Sequence, residues 1–483
     1  MSKHKKSVPP KNAISKSSSQ MQMYFLFVSA IMLIASLGVA LMSEGHSFSL
    51  GLYGTGFYSD QFMDFMNSVR DSVQPNLYNS RYSLYPPLAI LFFRFIASLL
   101  SENVINTPFN SRMFLLKDQR SVLIYIIYIL ICFIAIDRMI NSKIKNDRLP
   151  IESRLISVML IFSFPMLYCL DRGNIVLLCV VTTMFFVFFR NSESKVIREI
   201  AYISLAVSAG LKFYPAIFGL LLIRDKKIKD ALRLMLYGVL FIAVPFLIVH
   251  HMDTMTISNM SSDELATAQA AATDTFSAAA ATQTQSLAFT LEGIIRNLKN
   301  FFIKKTGGLD FSNMGIQNVF YLPFVRKALG ETTVEKLATS AFYTTEILAL
   351  LAFIISKKEW QRVFCLTYFM LNIPAASSMY ALSFMIIPFT LFLADNGQRD
   401  KYEWVQLFLF TPLLSNIPVF YYKKLQNVLD YLSSKGINNE LHPNKLSGFA
   451  FFQLLFFAVV IPIFAKFILS IFSKIRLKKA VQP

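Results

Sequence analysis

The chain has 483 residues, of which 54% are hydrophobic and 16% charged, and its formal net charge is +18 at pH 7. This hydrophobic share exceeds the roughly 45–50% of soluble domains, even though that figure counts glycine, and it excludes an ordinary soluble protein. Lysine and arginine cluster between apolar runs, where the positive-inside rule explains them better than nucleic-acid binding does. The composition therefore predicts an all-α, polytopic integral membrane protein.

The apolar runs begin after a basic tail, residues 1–22. The first run, 23–42, is too long for the core of a cleavable signal peptide, so we expect an uncleaved first span. In total the chain contains about twelve segments that predict transmembrane or re-entrant helices. They are 23–42, 86–100, 121–136, 155–170, 174–189, 200–223, 234–249, 341–356, 363–376, 379–394, 404–420 and 449–472.

These segments divide the chain into five regions. We expect a basic cytoplasmic tail at 1–22, an N-terminal membrane module at 23–249 with its first outer loop at 43–85, a long outer loop at 250–340, C-terminal membrane helices at 341–472 and a basic cytoplasmic tail at 473–483. In the long loop, Leu291, Ile294 and Ile295 share one helical face, which predicts a helix lying on the outer membrane surface.

Two topologies fit the apolar segments. If all twelve cross the membrane, both termini lie inside, but the basic residues of 138–154 and 190–198 lie outside. Alternatively, 86–100 is a surface or re-entrant helix, because it opens with Pro86-Pro87 and carries Arg94, and 200–223 is a hairpin broken at Lys212-Phe-Tyr-Pro215. The loops 137–154, 190–199 and 224–233 are then cytoplasmic. Four lysines in the outer loop 421–448 contradict the positive-inside rule in both topologies.

The first outer loop contains the candidate acids. Asp60 and Asp64 are four residues apart, so they would share a face of a helix, and mutual repulsion would raise the pKa of one towards general-base use. The alternative is a solvated loop with two ordinary acids.

Polar residues also interrupt the apolar segments at two points. In Asp171-Arg172-Gly173-Asn174, Asn174 either caps the next helix or faces a polar ligand together with Arg172. Lys212 is either a lysine whose ammonium reaches for the membrane surface or a point charge that binds a phosphate.

Metal and nucleotide sites are not expected. The four cysteines have no paired spacing, and the chain has no P-loop or Rossmann fingerprint. His250 and His251 are adjacent, so they would point to different sides of a helix and make a poor metal pair. We expect His250 to serve as a hydrogen-bond donor.

The order of these motifs resembles a known group of membrane enzymes. The matching stretches are Asp64-Phe65, Tyr85-Pro86-Pro87-Leu88, Asp171-Arg172-Gly173-Asn174 and Lys212-Phe213-Tyr214-Pro215. Their order is similar to that of the C superfamily of glycosyltransferases (GT-C), in particular glycosyltransferase family 87, which includes polyprenol-phosphate-mannose-dependent mannosyltransferases. The chain departs from the family at Asp171-Arg172, where the family more often has Gly-Gln.

The resemblance implies an enzyme that needs no cofactor. A sugar, with mannose as the best-known case, would pass from a polyprenyl-phosphate donor to a hydroxyl of a glycan or glycolipid on the outer face, with inversion. Asp64 would be the general base, with Asp60 second. Lys212, Arg172 and Arg81 would bind the donor phosphate, and the substrate-binding residues would be Asn174, Tyr85, Tyr214 and His250.

Three other functions compete with this one. A polytopic transporter or a lipid or glycan flippase also places charges within a helical bundle. Such proteins often have broken helices in corresponding positions of both halves, whereas this sequence suggests a single broken helix with no partner in the second half. A scaffolding membrane protein has no evident use for the acids of the first outer loop. An enzyme that moves a whole oligosaccharide or a phospho-group would share the architecture. The lack of a retention signal and the abundance of Lys, Ile and Phe favour a bacterial plasma membrane, with the active site facing outward.

Overall fold

The described part of the chain is helical throughout. The computed structural model describes residues 16–43, 62–73, 85–100, 118–144, 150–259, 261–262, 295, 314–374, 379–397, 399–416 and 443–481, and these ranges contain no strand. Its α-helices are α1 Lys16–Met42, α2 Met63–Ser72, α3 Pro87–Ser98, α4 Gln119–Lys143, α5 Pro150–Ile161, α6 Phe164–Arg172, α7 Val176–Phe189, α8 Lys195–Leu211, α9 Leu220–Arg224, α10 Ile228–Ser258, α11 Pro323–Leu329, α12 Glu331–Ile355, α13 Glu359–Asn372, α14 Ile386–Ala394, α15 Lys401–Leu413 and α16 Pro443–Val481. Three 3₁₀ helices cover Tyr214–Gly219, Ile316–Val319 and Met379–Met385.

The number of membrane crossings differs from the predicted number of apolar segments. Within the described ranges, five helices are long and apolar enough to span a membrane: α1, α4, α10, α12 and α16. The pair α5–α6, which is bent by 50°, would make a sixth. The prediction of about twelve spanning or re-entrant helices is therefore not confirmed. Several of the predicted segments form helices of 10–17 residues, which are shorter than the roughly 20 residues of a full span.

Helix α3 is one of these short helices. It begins at Pro87, where proline suits the first turn because no intrahelical partner is lost, and it ends after 12 residues. At 1.5 Å per residue its length is about 18 Å, which cannot cross a hydrocarbon core of roughly 30 Å. Arg94, in its third turn, is buried.

The segment 200–223 is broken where Lys212 and Pro215 predict a break. Helix α8 ends at Leu211, Lys212 is extended (φ −147°, ψ 129°), and a 3₁₀ helix follows from Tyr214. The second half of the chain contains a similar interruption, because α13 ends at Asn372 and the 3₁₀ helix Met379–Met385 leads into α14.

The two breaks lie together in the bundle. The Tyr214 ring meets the Phe384 ring edge to face, with their centroids 6.0 Å apart. Met379–Met385 packs against α6 and α7, and Tyr214–Gly219 packs against α13. The C-terminal half therefore contributes to the same region as the motifs of the N-terminal half.

Helices α7 and α8 are antiparallel and define two ends of the bundle. Thr183 Oγ1 and Ser208 Oγ are 2.9 Å apart, and the Tyr202 hydroxyl donates to the Arg190 carbonyl at 3.4 Å. Asn174 and Lys212 consequently lie at one end. At the opposite end, Arg190 donates to Glu359 at 2.9 Å and pairs with Asp225 at 3.5 Å.

Candidate functional site

Helix α2 carries Asp64 in its first turn. Phe65, Met66 and Val69 are buried on one face, which is the spacing of an amphipathic helix. The Phe65 ring packs against Phe93, with a centroid separation of 5.7 Å. At the start of the helix, the Phe62 amide donates to the Asp171 carbonyl at 2.7 Å. This contact joins the start of α2 to the Asp171–Asn174 turn.

The Asp171–Asn174 turn needs glycine at its third position. Gly173 terminates α6 with φ 69°, in the left-handed region that glycine adopts without steric cost. A Cβ atom at this position would lie 2.9 Å from the Phe62 Cα and carbonyl oxygen, so the turn and the start of α2 touch through their backbones.

The turn binds the Asp64 carboxylate with two side chains. Arg172 Nη2 donates to Asp64 Oδ1 at 2.8 Å, and Asn174 Nδ2 donates to Asp64 Oδ2 at 2.8 Å. Asn174 Oδ1 also accepts a hydrogen bond from the Val176 amide at 3.1 Å. Asn174 therefore caps α7 and contacts Asp64 at the same time, so the two interpretations of this residue are compatible.

Asp64 is in an environment suited to holding a proton. Burial raises the pKa of Asp64, and the hydrogen bond from Asn174 and the positive charge of Lys212 oppose that shift. The carboxylate is still reachable, because the Asp64 side chain is 20% exposed and that of Arg172 is 28% exposed. A carboxylate with a raised pKa, open to a ligand on one side, is the arrangement expected of a general base.

Lys212 is buried against an aromatic ring. Its side chain is 9% exposed, and Nζ lies 4.1 Å from the centroid of the Tyr85 ring. A lysine reaching for the membrane surface would expose its ammonium group, so this placement does not fit that alternative. The Tyr85 ring also packs against Phe93, at 5.5 Å.

Tyr380 is a residue of this site that the sequence analysis did not identify. It lies in the 3₁₀ helix Met379–Met385, is partly exposed, and interacts electrostatically with Asp64 and Arg172. The polar interruption Ser377-Ser378 between two apolar segments was the signal that could have pointed to it.

The remaining predicted site residues lie elsewhere or are not described. His250 is exposed on α10, and its ring stacks on Phe246 with the centroids 6.0 Å apart. Asp60, Arg81 and the predicted interfacial helix around Leu291, apart from the exposed Ile295, lie outside the described residues. Among the residues that the structure describes, no three His, Cys, Asp or Glu side chains are grouped so that they could hold a metal ion.

Comparison with known families agrees with the motif order. The sequence profile of glycosyltransferase family 87 matches residues 84–300. This confirms the resemblance over that part of the chain and indicates a membrane glycosyltransferase. Arg172, Asn174 and Lys212 lie inside the matched range, whereas Asp64 precedes it. No curated protein and no solved structure matches the chain.

Proposed function

We propose that the protein transfers a sugar from a polyprenyl-phosphate donor to a hydroxyl of a glycan or glycolipid, with Asp64 as general base. The family match supports glycosyl transfer in general. The single observation that carries the finer proposal is the contact of Asp64 with Arg172 and Asn174, beside the buried ammonium group of Lys212.

The proposed reaction is one displacement. The acceptor hydroxyl oxygen bonds to the anomeric carbon while the bond from that carbon to the phosphate oxygen breaks, which inverts the configuration. The hydroxyl proton passes to the Asp64 carboxylate, and polyprenyl phosphate leaves with the electron pair. General-base assistance of this kind contributes about 10²–10⁴-fold to the rate.

The leaving group requires cations, because negative charge develops on its phosphate. Lys212 is the first choice, since its ammonium group is desolvated and therefore interacts strongly with a second charge. Arg172 can contact both the Asp64 carboxylate and the donor phosphate, because a guanidinium has five N–H donors. Its Nη2 donates to Asp64 Oδ1. Arg81 remains a third candidate for the phosphate.

The distribution of charge supports an outward-facing site. The end of the bundle opposite Asp64 carries Arg190, Lys227 and Arg362, and Lys227 donates to Asn191 at 2.7 Å. Positive charge accumulates on the cytoplasmic side of membrane proteins. We therefore assign the Asp64 end to the outer face, in a bacterial plasma membrane, and mannose is the donor sugar to test first.

The test is sugar transfer in liposomes that contain purified protein, a labelled polyprenyl-phosphate mannose and a lipid-linked acceptor fraction. We expect the wild type to transfer the sugar and Asp64→Asn to lose about 10²–10⁴-fold in rate. Asp71→Asn is the matched control, because Asp71 lies on the same helix but pairs with Arg70 at 2.9 Å.

Asp60→Asn tests the second acid in the same assay. Full activity in Asp64→Asn, or loss of activity in Asp60→Asn alone, would remove Asp64 from the role of base. Movement of labelled lipid between the two leaflets without transfer would instead favour the flippase.

A further inference from the structure

We infer that Arg94 is a positioning residue for the general base, because it ties the far end of helix α2 to helices α3 and α10. This inference rests on the proposed function, since it concerns the helix that carries Asp64. The sequence singled out Arg94 as an arginine in an apolar segment, and neither the binding of substrate nor the displacement described above uses it.

Helix α2 depends on its neighbours for its orientation. It has ten residues, which is too short to be stable alone in water. Its first turn is held by the Phe62–Asp171 hydrogen bond and by the contact of Phe62 with Gly173. Its apolar face also packs against α3, where Phe65 contacts Phe93, but apolar packing is not directional and does not by itself fix the tilt of the helix. A second attachment, at the last turn, fixes its direction.

Arg94 supplies this second attachment. Its Nε donates to the Ser72 carbonyl at 2.6 Å, and Ser72 is the last residue of α2. The final carbonyl groups of a helix have no partner within the helix, and they carry the negative end of the helix dipole. The Arg94 guanidinium therefore donates a hydrogen bond to the Ser72 carbonyl and places positive charge at the negative end of the helix dipole.

The second half of the guanidinium is bound to α10. Arg94 Nη2 forms an ion pair with Asp253 Oδ1, and the two side chains are 9% and 4% exposed. Arg94 is the only charged residue in the sequence of α3. Burying such a pair rarely stabilises a protein more than apolar residues of similar size would, so stability alone does not explain it. The directional bonds from Arg94 to Ser72 of α2 and Asp253 of α10 explain why a buried arginine is used here.

Arginine suits this task better than lysine. The planar guanidinium presents several N–H groups in a fixed geometry, so one side chain can contact the Ser72 carbonyl and the Asp253 carboxylate in different directions. The ammonium group of a lysine would keep the charge but lose this rigid two-way attachment. Arg94→Lys therefore separates the positioning role from the need for a buried positive charge.

The position of Asp64 is sensitive to this attachment. Ser72 lies eight residues after Asp64, which corresponds to about 12 Å along the helix axis. A change in tilt of α2 moves the carboxylate relative to Arg172 and Asn174. Displacement of a catalytic group by about 1 Å can reduce a rate by as much as 10²-fold.

The experiment compares Arg94→Lys with the wild type in two measurements, hydrogen exchange of residues 63–72 and steady-state sugar transfer in liposomes. We expect exchange in α2 to become about tenfold faster or more, because the C-terminal attachment is lost. We expect kcat to fall about 10- to 100-fold while KM for the donor changes less than about twofold. Asp253→Asn should change both quantities in the same direction.

Arg190→Lys is the matched control. Arg190 is also a buried arginine paired with acids, but it lies at the opposite end of the bundle. We expect it to lower the melting temperature while exchange in α2 and kcat per folded molecule stay at their wild-type values. Conversely, unchanged α2 exchange in Arg94→Lys, or a loss of activity that only tracks the folded fraction, would overturn the inference.

The two measurements also separate this inference from the proposed function. If the wild type transfers no sugar but Arg94→Lys still accelerates exchange in α2, the attachment stands and the proposed function fails. If the wild type transfers sugar and Arg94→Lys matches it in kcat and exchange, the proposed function stands and the role of Arg94 fails.

Discussion

The Asp64 carboxylate receives two hydrogen bonds from residues more than 100 positions away in the chain. Arg172 and Asn174 are separated from it by 108 and 110 residues and bind one oxygen each. Residues with ordinary local roles, a helix-terminal arginine and a helix-capping asparagine, thereby become part of one polar site. Arg172 supplies the group that binds Asp64 Oδ1.

At the residue scale, the pH dependence of transfer tests Asp64 as the base. Burial raises its pKa, and the base must be deprotonated to accept a proton. We therefore expect kcat/KM to fall on the acid side at a higher pH than an ordinary aspartate would give. The measurement is a pH profile of kcat/KM in liposomes. A profile that is flat on the acid side down to about pH 4, the ordinary pKa range of aspartate, would contradict this.

Asn174→Ala provides a second residue-scale test. Because the Asn174 hydrogen bond lowers the pKa of Asp64, its removal should raise that pKa further. The acid limb of the kcat/KM profile should therefore move to higher pH, because a hydrogen bond to the charged form of Asp64 is lost. Ser68→Ala is a useful control, because the Ser68 hydroxyl donates to the Asp64 main-chain carbonyl rather than to the carboxylate. An unmoved limb in Asn174→Ala would show that this contact does not tune the base.

At the scale of elements, the Asp171–Asn174 turn and the start of α2 are in direct backbone contact. Gly173→Ala should destabilise the protein by about 1–2 kcal/mol for the left-handed conformation alone. It should also displace α2, because the added Cβ would lie 2.9 Å from Phe62 atoms. We expect activity per folded molecule to fall. The measurement is the rate of sugar transfer divided by the folded fraction, which a melting curve gives at the assay temperature.

Gly330→Ala is the control for backbone strain. Gly330 also has a positive φ, 77°, but no atom lies within 4 Å of the position that its Cβ would take. It should therefore lose stability without losing activity per folded molecule. Equal activity in the two variants would mean that the close approach to Phe62 does not matter for the site.

The break after α8 is the second element of the candidate site. It leaves Lys212 in extended backbone over the Tyr85 ring. If Lys212 binds the donor phosphate, Lys212→Met should raise the donor KM about tenfold to a hundredfold, the range of a lost hydrogen bond to a charged group. Lys227→Met, which removes a lysine from the opposite end, should leave KM unchanged. Equal KM values in all three proteins would return Lys212 to a structural role.

At the scale of the whole molecule, the orientation in the membrane is open to a direct test. The four native cysteines are buried, so they should react little with a thiol reagent, and the labelling of a single added cysteine can be measured. Asn259 follows α10 at the Arg94 end, and Glu193 lies between α7 and α8 at the Arg190 end; both are exposed. Asn259→Cys should react with an impermeant maleimide in intact cells, and Glu193→Cys should react after permeabilisation. The reverse pattern would place the Asp64 site in the cytoplasm.

Part of the fold and several residues of the candidate site could be predicted from local properties of the sequence. Hydropathy indicated membrane helices, and the proline at 215 indicated the break near Lys212, because both effects depend on neighbouring residues alone. The number of full crossings was not predictable in this way. A short apolar helix packed inside a bundle, such as α7, has the same composition as part of a span.

The sequence by itself determined that this is a helical membrane protein with an ordered set of motifs similar to those of family 87. It left Asp60 and Asp64 as alternatives and Arg94 unexplained. The tertiary structure decided which side chains touch Asp64, added Tyr380 from the second half of the chain, and connected Arg94 to Ser72 and Asp253. These contacts depend on how distant helices pack, and residue spacing carries no information about packing between segments that lie 100 or more residues apart.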